Sequence, residues 1–436
     1  MSSVAVELAG RDRTWPRVAP RVAGAVALAT VVVSGVAVAL AGAAADDAYL
    51  VPGLARARAA WLSGPLAGLG LATPLRGVLV EIAVMTLAYA AAVALAPRVR
   101  LRWVAAAVAF VHGVFLLAPP LLSNDVFSYA DVARLGGLYH LDPYVRPPSA
   151  ERHDALYVFV HWRHTVTVYG PLFTLGARAL GHLSPATLVW AFKAMAAVAG
   201  LGCTALVGWI AHRRGRPVGR AVAAFGLNPV VLVWSVGGAH NDLLMLLALL
   251  AGVALTLGAR PAMGGAMVVC AAAIKATAGL AIPFLLVGSG RRARVLVGVG
   301  AAAAAVLAAT FASFPDHAHG MVTALEREQR LVGIASVPQA LAYALGLAAV
   351  TAPERLVLHV LLAVWLAGLL VWVLRGGDFV AATGWALLGV IVASTWLLPW
   401  YLVWPLGFGA AAVDRRLLIA ASGVALLYVI GHVPVN

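Results

Sequence analysis

A polar stretch at residues 123–144 carries the side chains best suited to acid–base chemistry. It follows directly on an apolar run and holds four charged residues: Asp125, Asp131, Arg134 and Asp142. An ionised carboxylate at the edge of a membrane-spanning segment costs free energy, so such a residue usually has a function. Asp125 lies nearest to the apolar run and is therefore a candidate general base. A helix N-cap at Asn124 or Asp125 would explain the same pattern, and that alternative stays open.

The rest of the chain is apolar enough to be an integral membrane protein. Hydrophobic residues make up 63% of the 436 positions, and charged residues only 11%. The mean hydropathy is +0.94, and several apolar runs reach eighteen residues or more. Such runs are typical of membrane-spanning helices, so we predict an all-α polytopic membrane protein with roughly 11–13 transmembrane helices.

The net charge of +14 does not indicate a nucleic-acid-binding protein, because the basic residues form short clusters between apolar segments. This distribution is typical of the cytoplasmic loops of plasma-membrane proteins. It predicts a cytoplasmic N-terminal segment, 1–21, and two outer loops, 123–168 with interfacial helices and 315–337. One membrane domain, 1–436, with its site on the extracytoplasmic side accounts for the pattern.

Two further groups of polar residues lie at predicted outer helix ends. His240-Asn241-Asp242 opens an apolar helix, where Asn241 or Asp242 would also serve as a cap. Lys275 interrupts the apolar run 263–287, which we interpret as two helices with Lys275 near their outer turn. A lysine too deep to reach the membrane surface needs an anionic partner, and a lipid phosphate would serve.

Aromatic and basic residues of the outer side complete the set of candidates. Trp400 and Tyr401 lie where an aromatic belt is expected, but aromatic rings also stack on sugars. Arg163 and Arg327 are candidates for anion binding, although Arg327, like Arg330 in the same acid-rich loop, would also be explained by a solvated ion pair. The sequence contains no glycine-rich phosphate loop, zinc-ligand spacing or nucleophile elbow, so we predict no cofactor, and a divalent metal ion is left open.

Several motifs occur together in one order: Asp125 with Tyr129, Gly137 and Asp142-Pro143-Tyr144; Tyr169-Gly170-Pro171; His240-Asn241-Asp242; Lys275 with Pro283-Phe284; and Pro399-Trp400-Tyr401 with Trp404-Pro405. This order resembles the actinobacterial polyprenol-phosphate-mannose-dependent α-(1→6)-mannosyltransferases, which belong to the GT-C glycosyltransferases. The resemblance covers most of the chain from about residue 100 onward. One departure is Asn124, where many members have a basic residue before the aspartate.

The resemblance implies a GT-C-like fold and an inverting transfer of mannose from polyprenyl-phosphate-mannose to a hydroxyl of a lipid-linked mannan. Asp125 would be the general base. Candidates for the donor phosphate are Lys275, His240, Arg163 and Arg327. Candidates for binding the acceptor or the sugar are Asp131, Asp142, Tyr144, Tyr169, Asn241, Asp242, Trp400 and Tyr401. The expected partners are the donor, the lipid-linked acceptor and membrane lipids.

Three alternatives remain at the level of the sequence. The carrier-linked sugar would be arabinose or glucose in a related transferase. A transporter or lipid-carrier flippase would use Glu81, Asp125 and Lys275 as coupling charges, although no inverted repeat is evident. Asp46 and Asp47, after the first apolar run, form a rival pair for the base because many GT-C enzymes carry it there.

Overall fold

The computed structural model describes residues 19–44, 49–52, 60–315, 320, 323–324, 326–327, 331–333 and 336–432. Within these ranges the regular structure is helical, with no β-strand. The prediction of an all-α fold is therefore confirmed. The N-terminal segment 1–21 and the loop 315–337 lie largely outside the described residues, as do Asp46 and Asp47.

The first part of the chain contains a long helix pair and the short helices around residue 125. The helices of this part are α1 (Ala19–Ala43), α2 (Leu75–Leu95), α3 (Leu101–Leu117), α4 (Asp125–Gly137), α5 (Pro171–Ala179), α6 (Pro185–Arg213) and α7 (Val218–Gly226). Helix α1 packs against α2 and α3, and α6 packs against α3, α4 and α7. Ser184 caps α6 by accepting a hydrogen bond from the amide of Thr187, and Pro185 occupies its first turn.

A π-helix, Val230–Val236, leads into the second part. The helices that follow are α8 (Asp242–Leu257), α9 (Pro261–Ile274), α10 (Ala281–Gly288), α11 (Arg292–Ser313), α12 (Val337–Ala344), α13 (Ala352–Leu374), α14 (Phe379–Ala393), α15 (Val403–Ala412) and α16 (Arg415–His432). Helix α9 packs against both α8 and α11, while α15 packs against α14, α6 and α8. Helices α6, α8 and α15 thus form the interior of the bundle.

Five described helices are long and apolar enough to cross a membrane, or six if the bent pair Val218–Gly226 and Val230–Val236 is one span. This is fewer than the predicted 11–13. Five further apolar helices have only 10–17 residues. Because a helix rises 1.5 Å per residue, a helix of that length is shorter than the hydrocarbon core, which is about 30 Å thick. Glycine, proline and polar breaks divide apolar runs that hydropathy alone joins.

Helices α11 and α13 show that the protein is built for a membrane. Only 17% of the apolar window of α11 and 11% of that of α13 is buried inside the protein. Exposed leucines and valines, including Leu356, Val360 and Val364, cover the outside of α13. Apolar surface of this extent is unfavourable in water and suits contact with lipid chains.

Two breaks in the helices position polar groups in the interior. The pair Val218–Gly226 and Val230–Val236 bends by 43°, with Pro229 at the break. Helix α9 ends at Lys275, whose backbone is extended, and a short 3₁₀ turn, Ala276–Leu280, precedes α10. The prediction that the run 263–287 forms two helices with a break at Lys275 is confirmed.

Candidate active site

A cavity of about 570 Å³ lies beside the first turns of α4. Its wall includes α4, the segment 161–169, the break at Lys275, and α14 with the residues that follow it. Seven large aromatic residues line it: Tyr129, Trp162, Tyr169, Trp396, Trp400, Tyr401 and Trp404. A concave site with aromatic walls and a few polar groups is the usual form of a small-molecule site.

Asp125 is the first residue of α4 and lines this cavity. The turn before it contains Leu122, whose φ of 58° is in the left-handed region. The Asp125 amide donates to Ser123 Oγ at 3.2 Å, and the Asp125 side chain is 19% exposed. Asn124 occupies the N-cap position but makes no capping hydrogen bond through its side chain. A carboxylate at a helix N-terminus is also favoured in its ionised form by the helix dipole.

His240 lies behind Asp125 and is fully buried. Its Nδ1 is 3.5 Å from an Asp125 carboxylate oxygen, and its ring is stacked on Trp400 with centroids 3.7 Å apart. Burial, together with the nearby charge of Lys275, holds the pKa of His240 well below its usual value, so the ring is neutral. Because a carboxylate only accepts hydrogen bonds, the tautomer with its proton on Nδ1 fits this contact.

Lys275 forms the second polar corner of the cavity. Its Nζ donates to Asp242 Oδ1 at 2.8 Å, and the indole N–H of Trp404 donates to the same oxygen at 2.7 Å. The ammonium also lies over the rings of Tyr401 and Trp404, at 4.2 and 5.1 Å from their centroids. Asp242 is fully buried, whereas the Lys275 side chain is 19% exposed. The pair thus holds an ammonium at the cavity surface.

Tyr129 joins α4 to the segment 240–242. Its hydroxyl lies 3.4 Å from His240 Nδ1 and donates to Asn241 Oδ1 at 3.4 Å. Its ring contacts Tyr169 edge to face, with centroids 5.0 Å apart. The sequence indicated Tyr129 only as part of a motif, whereas the structure shows that it links the two segments that carry Asp125 and His240.

Asp125 is the one carboxylate among the described residues that line the cavity. The same lining contains four basic side chains: Arg146, Lys275, Arg327 and Arg355. Arg146 and Arg355 were missed by the sequence reasoning. Arg146 carried a usable signal, because it is a basic residue within the predicted outer loop 123–168.

The two arginines singled out from the sequence have different positions. Arg327 lines the cavity and donates to the hydroxyl of Thr165. Arg163 is not part of the lining. Its guanidinium donates to the carbonyls of Val160 and Val158 and lies over the Tyr157 ring, 5.0 Å from the centroid. Arg163 therefore stabilises the conformation of the loop 157–163.

Asp131 occupies a different face of α4 and is not part of the cavity lining. It is buried, and the ion pair of Asp154 with Arg134 lies nearby. Burial and the charge of Asp154 raise the pKa of Asp131 to about 8, although Arg134 opposes this shift. A carboxyl with that pKa is mostly protonated at neutral pH.

Asp142 and Tyr144 shape the loop after α4. An oxygen of Asp142 accepts a hydrogen bond from the Tyr144 amide at 2.9 Å, which forms a tight turn. Tyr144 is buried, and its hydroxyl donates to the carbonyl of Tyr169 at 2.8 Å and contacts Thr174 Oγ1 at 3.0 Å. Neither residue lines the cavity.

The structure thus separates the predicted site residues into three groups. At the cavity wall are Asp125, Tyr169, Lys275, Arg327, Trp400 and Tyr401. Buried behind that wall are His240, Asn241 and Asp242. Away from it are Asp131, Asp142, Tyr144 and Arg163. Among the described residues, no three His, Cys, Asp or Glu side chains come together as a metal site would require.

A family model described as "Alpha-(1->6)-mannopyranosyltransferase, N-terminal domain" matches residues 21–291. No solved structure matches the chain. The matched range includes Asp125, His240 and Lys275, and ends before α13 and the aromatic residues around Trp400.

Curated relatives have related descriptions. Alpha-(1->6)-mannopyranosyltransferase A of Mycobacterium tuberculosis is 34% identical over 342 residues, which is 71% of this chain and 66% of the relative. Alpha-(1->6)-mannopyranosyltransferase A of Corynebacterium glutamicum is 32% identical over 39% of this chain and 36% of the relative. A probable alpha-(1->6)-mannopyranosyltransferase of Mycolicibacterium smegmatis is 36% identical over 31% of this chain and 26% of the relative.

The chain therefore spans at most about two thirds of the length of these relatives, 66% in the longest match. The family model covers more than half of the chain, and its range carries the polar motifs of the cavity. The protein belongs to the alpha-(1->6)-mannopyranosyltransferase family.

Proposed function

We propose that this protein transfers mannose from polyprenyl-phosphate-mannose to a hydroxyl group of a lipid-linked mannan acceptor, with inversion at the anomeric carbon. The observation that carries the proposal is the charge pattern of the cavity, where a single carboxylate lies among four basic side chains in the described lining. A base for a hydroxyl and a cationic surface for a phosphate are the two requirements of this reaction.

Asp125 accepts the proton of the attacking hydroxyl. As the acceptor oxygen forms its bond to the anomeric carbon, the bond from that carbon to the phosphate oxygen breaks and the electron pair leaves with the phosphate. The neutral His240 lies 3.5 Å from Asp125 and orients the carboxylate through its Nδ1–H. Asp125, and not His240, is therefore the group that accepts the proton.

The negative charge that develops on the leaving phosphate is stabilised by the cationic lining. Lys275 has three N–H donors and uses one on Asp242, so donors remain for a phosphate oxygen at the cavity surface. Arg327, Arg146 and Arg355 extend the positive surface. His240 is fully buried behind Trp400, so its role is the orientation of Asp125 and not direct phosphate binding.

The sugar ring has an aromatic surface available to it. Trp400 and Tyr401 follow α14, and their rings are nearly perpendicular, with centroids 6.4 Å apart. Two such rings form a corner against which the apolar face of a hexose packs. Tyr169 lines the same cavity.

The site is proposed to lie on the extracytoplasmic side, with the N-terminus in the cytoplasm. Basic clusters at residues 212–216 and 291–294 and at Arg415-Arg416 support this orientation. Arg214 of the first cluster pairs with Asp378, just before α14. The groups around Asp125, His240, Lys275 and Trp400 all come from predicted outer ends.

The test is transfer of radiolabelled sugar by the wild-type protein in membranes. Polyprenyl phosphates carrying mannose, glucose or arabinose are offered separately with a short mannoside acceptor, and the product is recovered and counted. We expect transfer from the mannose carrier. Transfer of arabinose or glucose alone would mean that the donor carries that sugar and not mannose. No transfer from any carrier would contradict the transferase and favour the transporter hypothesis.

A further inference from the structure

Lys193 is one of only two lysines in the chain, and it is fully buried in the middle of α6. Its Nζ donates to the carbonyl of Gly237 at 2.9 Å and to the carbonyl of Pro119 at 3.4 Å. The ion pairs between described residues do not include it. A buried lysine whose amino group is held by carbonyls and not by a carboxylate needs an explanation, because burial of a polar group is costly unless its hydrogen bonds are made.

The two carbonyls belong to the two segments that carry the polar groups of the site. Pro119 lies in the connection from α3 to α4, six residues before Asp125. Gly237 ends the π-helix and precedes His240 by three residues. The amide of Leu121 also donates to the Gly237 carbonyl, at 3.1 Å. Lys193 and Leu121 therefore converge on one oxygen and join the two segments there.

Both segments contain a strained backbone position. Leu122 has a φ of 58° and Ala239 has a φ of 60°, values that residues with a Cβ adopt at an energetic cost. Leu122 lies between the Leu121 amide, which is held at this junction, and Asp125. Ala239 lies between the Gly237 carbonyl, which is held at the same junction, and His240. Such conformations persist only where the surroundings determine them.

We propose that Lys193 is a positioning residue, whose side-chain nitrogen fixes the segments 119–125 and 237–242 against each other so that Asp125 meets His240. The kinetic part of this proposal rests on the proposed function. Lys193 does not line the cavity and acts only through the two segments. A lysine suits the position because its long stem packs among apolar side chains while its three N–H donors reach two carbonyls at once.

The first test is amide hydrogen exchange followed by mass spectrometry on the purified full-length protein, comparing wild type with Lys193→Met. Methionine keeps the length of the side chain and removes the donors. We expect exchange to become about tenfold faster or more in peptides that cover 119–125 and 237–242. Peptides of α2, which packs elsewhere, should not change.

The matched control is Thr204→Val, on the same helix. Thr204 is also buried, and its hydroxyl donates to the carbonyl of Gly200 within α6. Its loss removes a buried hydrogen bond without touching either segment, so exchange in 119–125 and 237–242 should match wild type. If Lys193→Met does not accumulate, Lys193→Gln, which keeps an N–H donor but lacks the charge and reach, takes its place with a smaller expected increase.

The second test is steady-state transfer by the same variants. Because the groups that bind the donor line the cavity and stay in place, Lys193→Met should lower kcat about 10- to 100-fold with the donor KM within about twofold of wild type. A defect of folding alone would lower the amount of active protein and leave the kcat per folded molecule unchanged.

The outcomes separate the two proposals. Unchanged exchange in both segments, or an unchanged kcat in an active wild-type background, would overturn the role of Lys193. An inactive wild type would instead contradict the proposed function, and the exchange result would still decide whether Lys193 holds the two segments together.

Discussion

Two faces of helix α4 each present an aspartate, and the two side chains have opposite surroundings. Asp125 lies at the N-terminus of the helix, is partly exposed to the cavity, and meets the Nδ1 atom of a neutral histidine. Asp131 lies six residues later, is buried, and faces the charge of Asp154. The second environment favours a protonated carboxyl, whereas the carboxylate of Asp125 is open to the cavity.

The comparison teaches that an acidic residue in an apolar chain is not by itself a catalytic residue. A base must be ionised and must reach the substrate, and only Asp125 lies on the cavity. Both residues belong to one helix, so the same substitution can be made at each position and the two effects on activity compared directly.

The largest expected effect is that of Asp125→Asn on turnover. Removal of a general base lowers rates by about 10²- to 10⁴-fold, so kcat should fall by that factor while donor KM changes little. Asp131→Asn is the matched control. Asparagine resembles the protonated carboxyl of Asp131, and kcat at pH 7 should stay within about twofold of wild type. Equal losses in both variants at equal abundance would remove the distinction between the two faces.

A smaller effect is expected at His240, whose Nδ1 lies 3.5 Å from the Asp125 carboxylate. His240→Leu removes the N–H that meets the carboxylate and should lower kcat about 10- to 100-fold, the worth of a hydrogen bond to a charged group. In His240→Asn, the side-chain amide places an N–H near the position of Nδ1, so part of that loss should be recovered. Initial rates at saturating donor distinguish the two variants, and equal rates would argue against orientation through Nδ1.

The smallest effect concerns stability and belongs to the Asp131 face. The pKa of Asp131 is raised to about 8, so between about pH 4 and pH 8 the folded protein keeps a proton that the unfolded chain releases. The contribution of Asp131 to stability is therefore greatest at low pH and is lost as pH rises through that window, by at most about 1.4 kcal/mol per pH unit.

Thermal unfolding in detergent between pH 5 and pH 8 measures this slope. Asp131→Asn cannot ionise, so its unfolding temperature should vary less with pH over the same interval. Asp142→Asn provides a control in the neighbouring loop. A variant and wild type with the same pH slope would mean that Asp131 is already ionised in the folded protein.

Much of the architecture could be predicted from the sequence. The apolar runs indicated the all-α membrane class, and Lys275 inside the apolar run 263–287 marked the break between α9 and α10. The order of motifs also anticipated that residues far apart in the chain would meet, as Asp125, Lys275 and Trp400 do around one cavity. Hydropathy and motif order both report position along the chain, which is why these features were accessible.

The orientation of side chains around each helix was not accessible in the same way. In a soluble helix a polar face marks the solvent side, but a membrane helix is apolar on both its lipid side and its protein side, so this signal is weak. The sequence favoured Asp125 by its place beside the apolar run, but it could not show that Asp131 faces away from the cavity or that His240 lies behind the cavity wall. The role of Lys193 depends on two carbonyls from distant segments, which no local pattern reveals.

The most direct test of Asp125 as the base is to make the base unnecessary. A mannoside acceptor in which the attacked hydroxyl is replaced by a thiol ionises without help at mildly alkaline pH, because thiols have a pKa of about 8.5. At pH 9 we expect Asp125→Asn to transfer mannose to the thiol at nearly the wild-type rate, while its transfer to the hydroxyl remains about 10²- to 10⁴-fold slower. An equal loss with both acceptors would contradict the assignment of Asp125 as the general base.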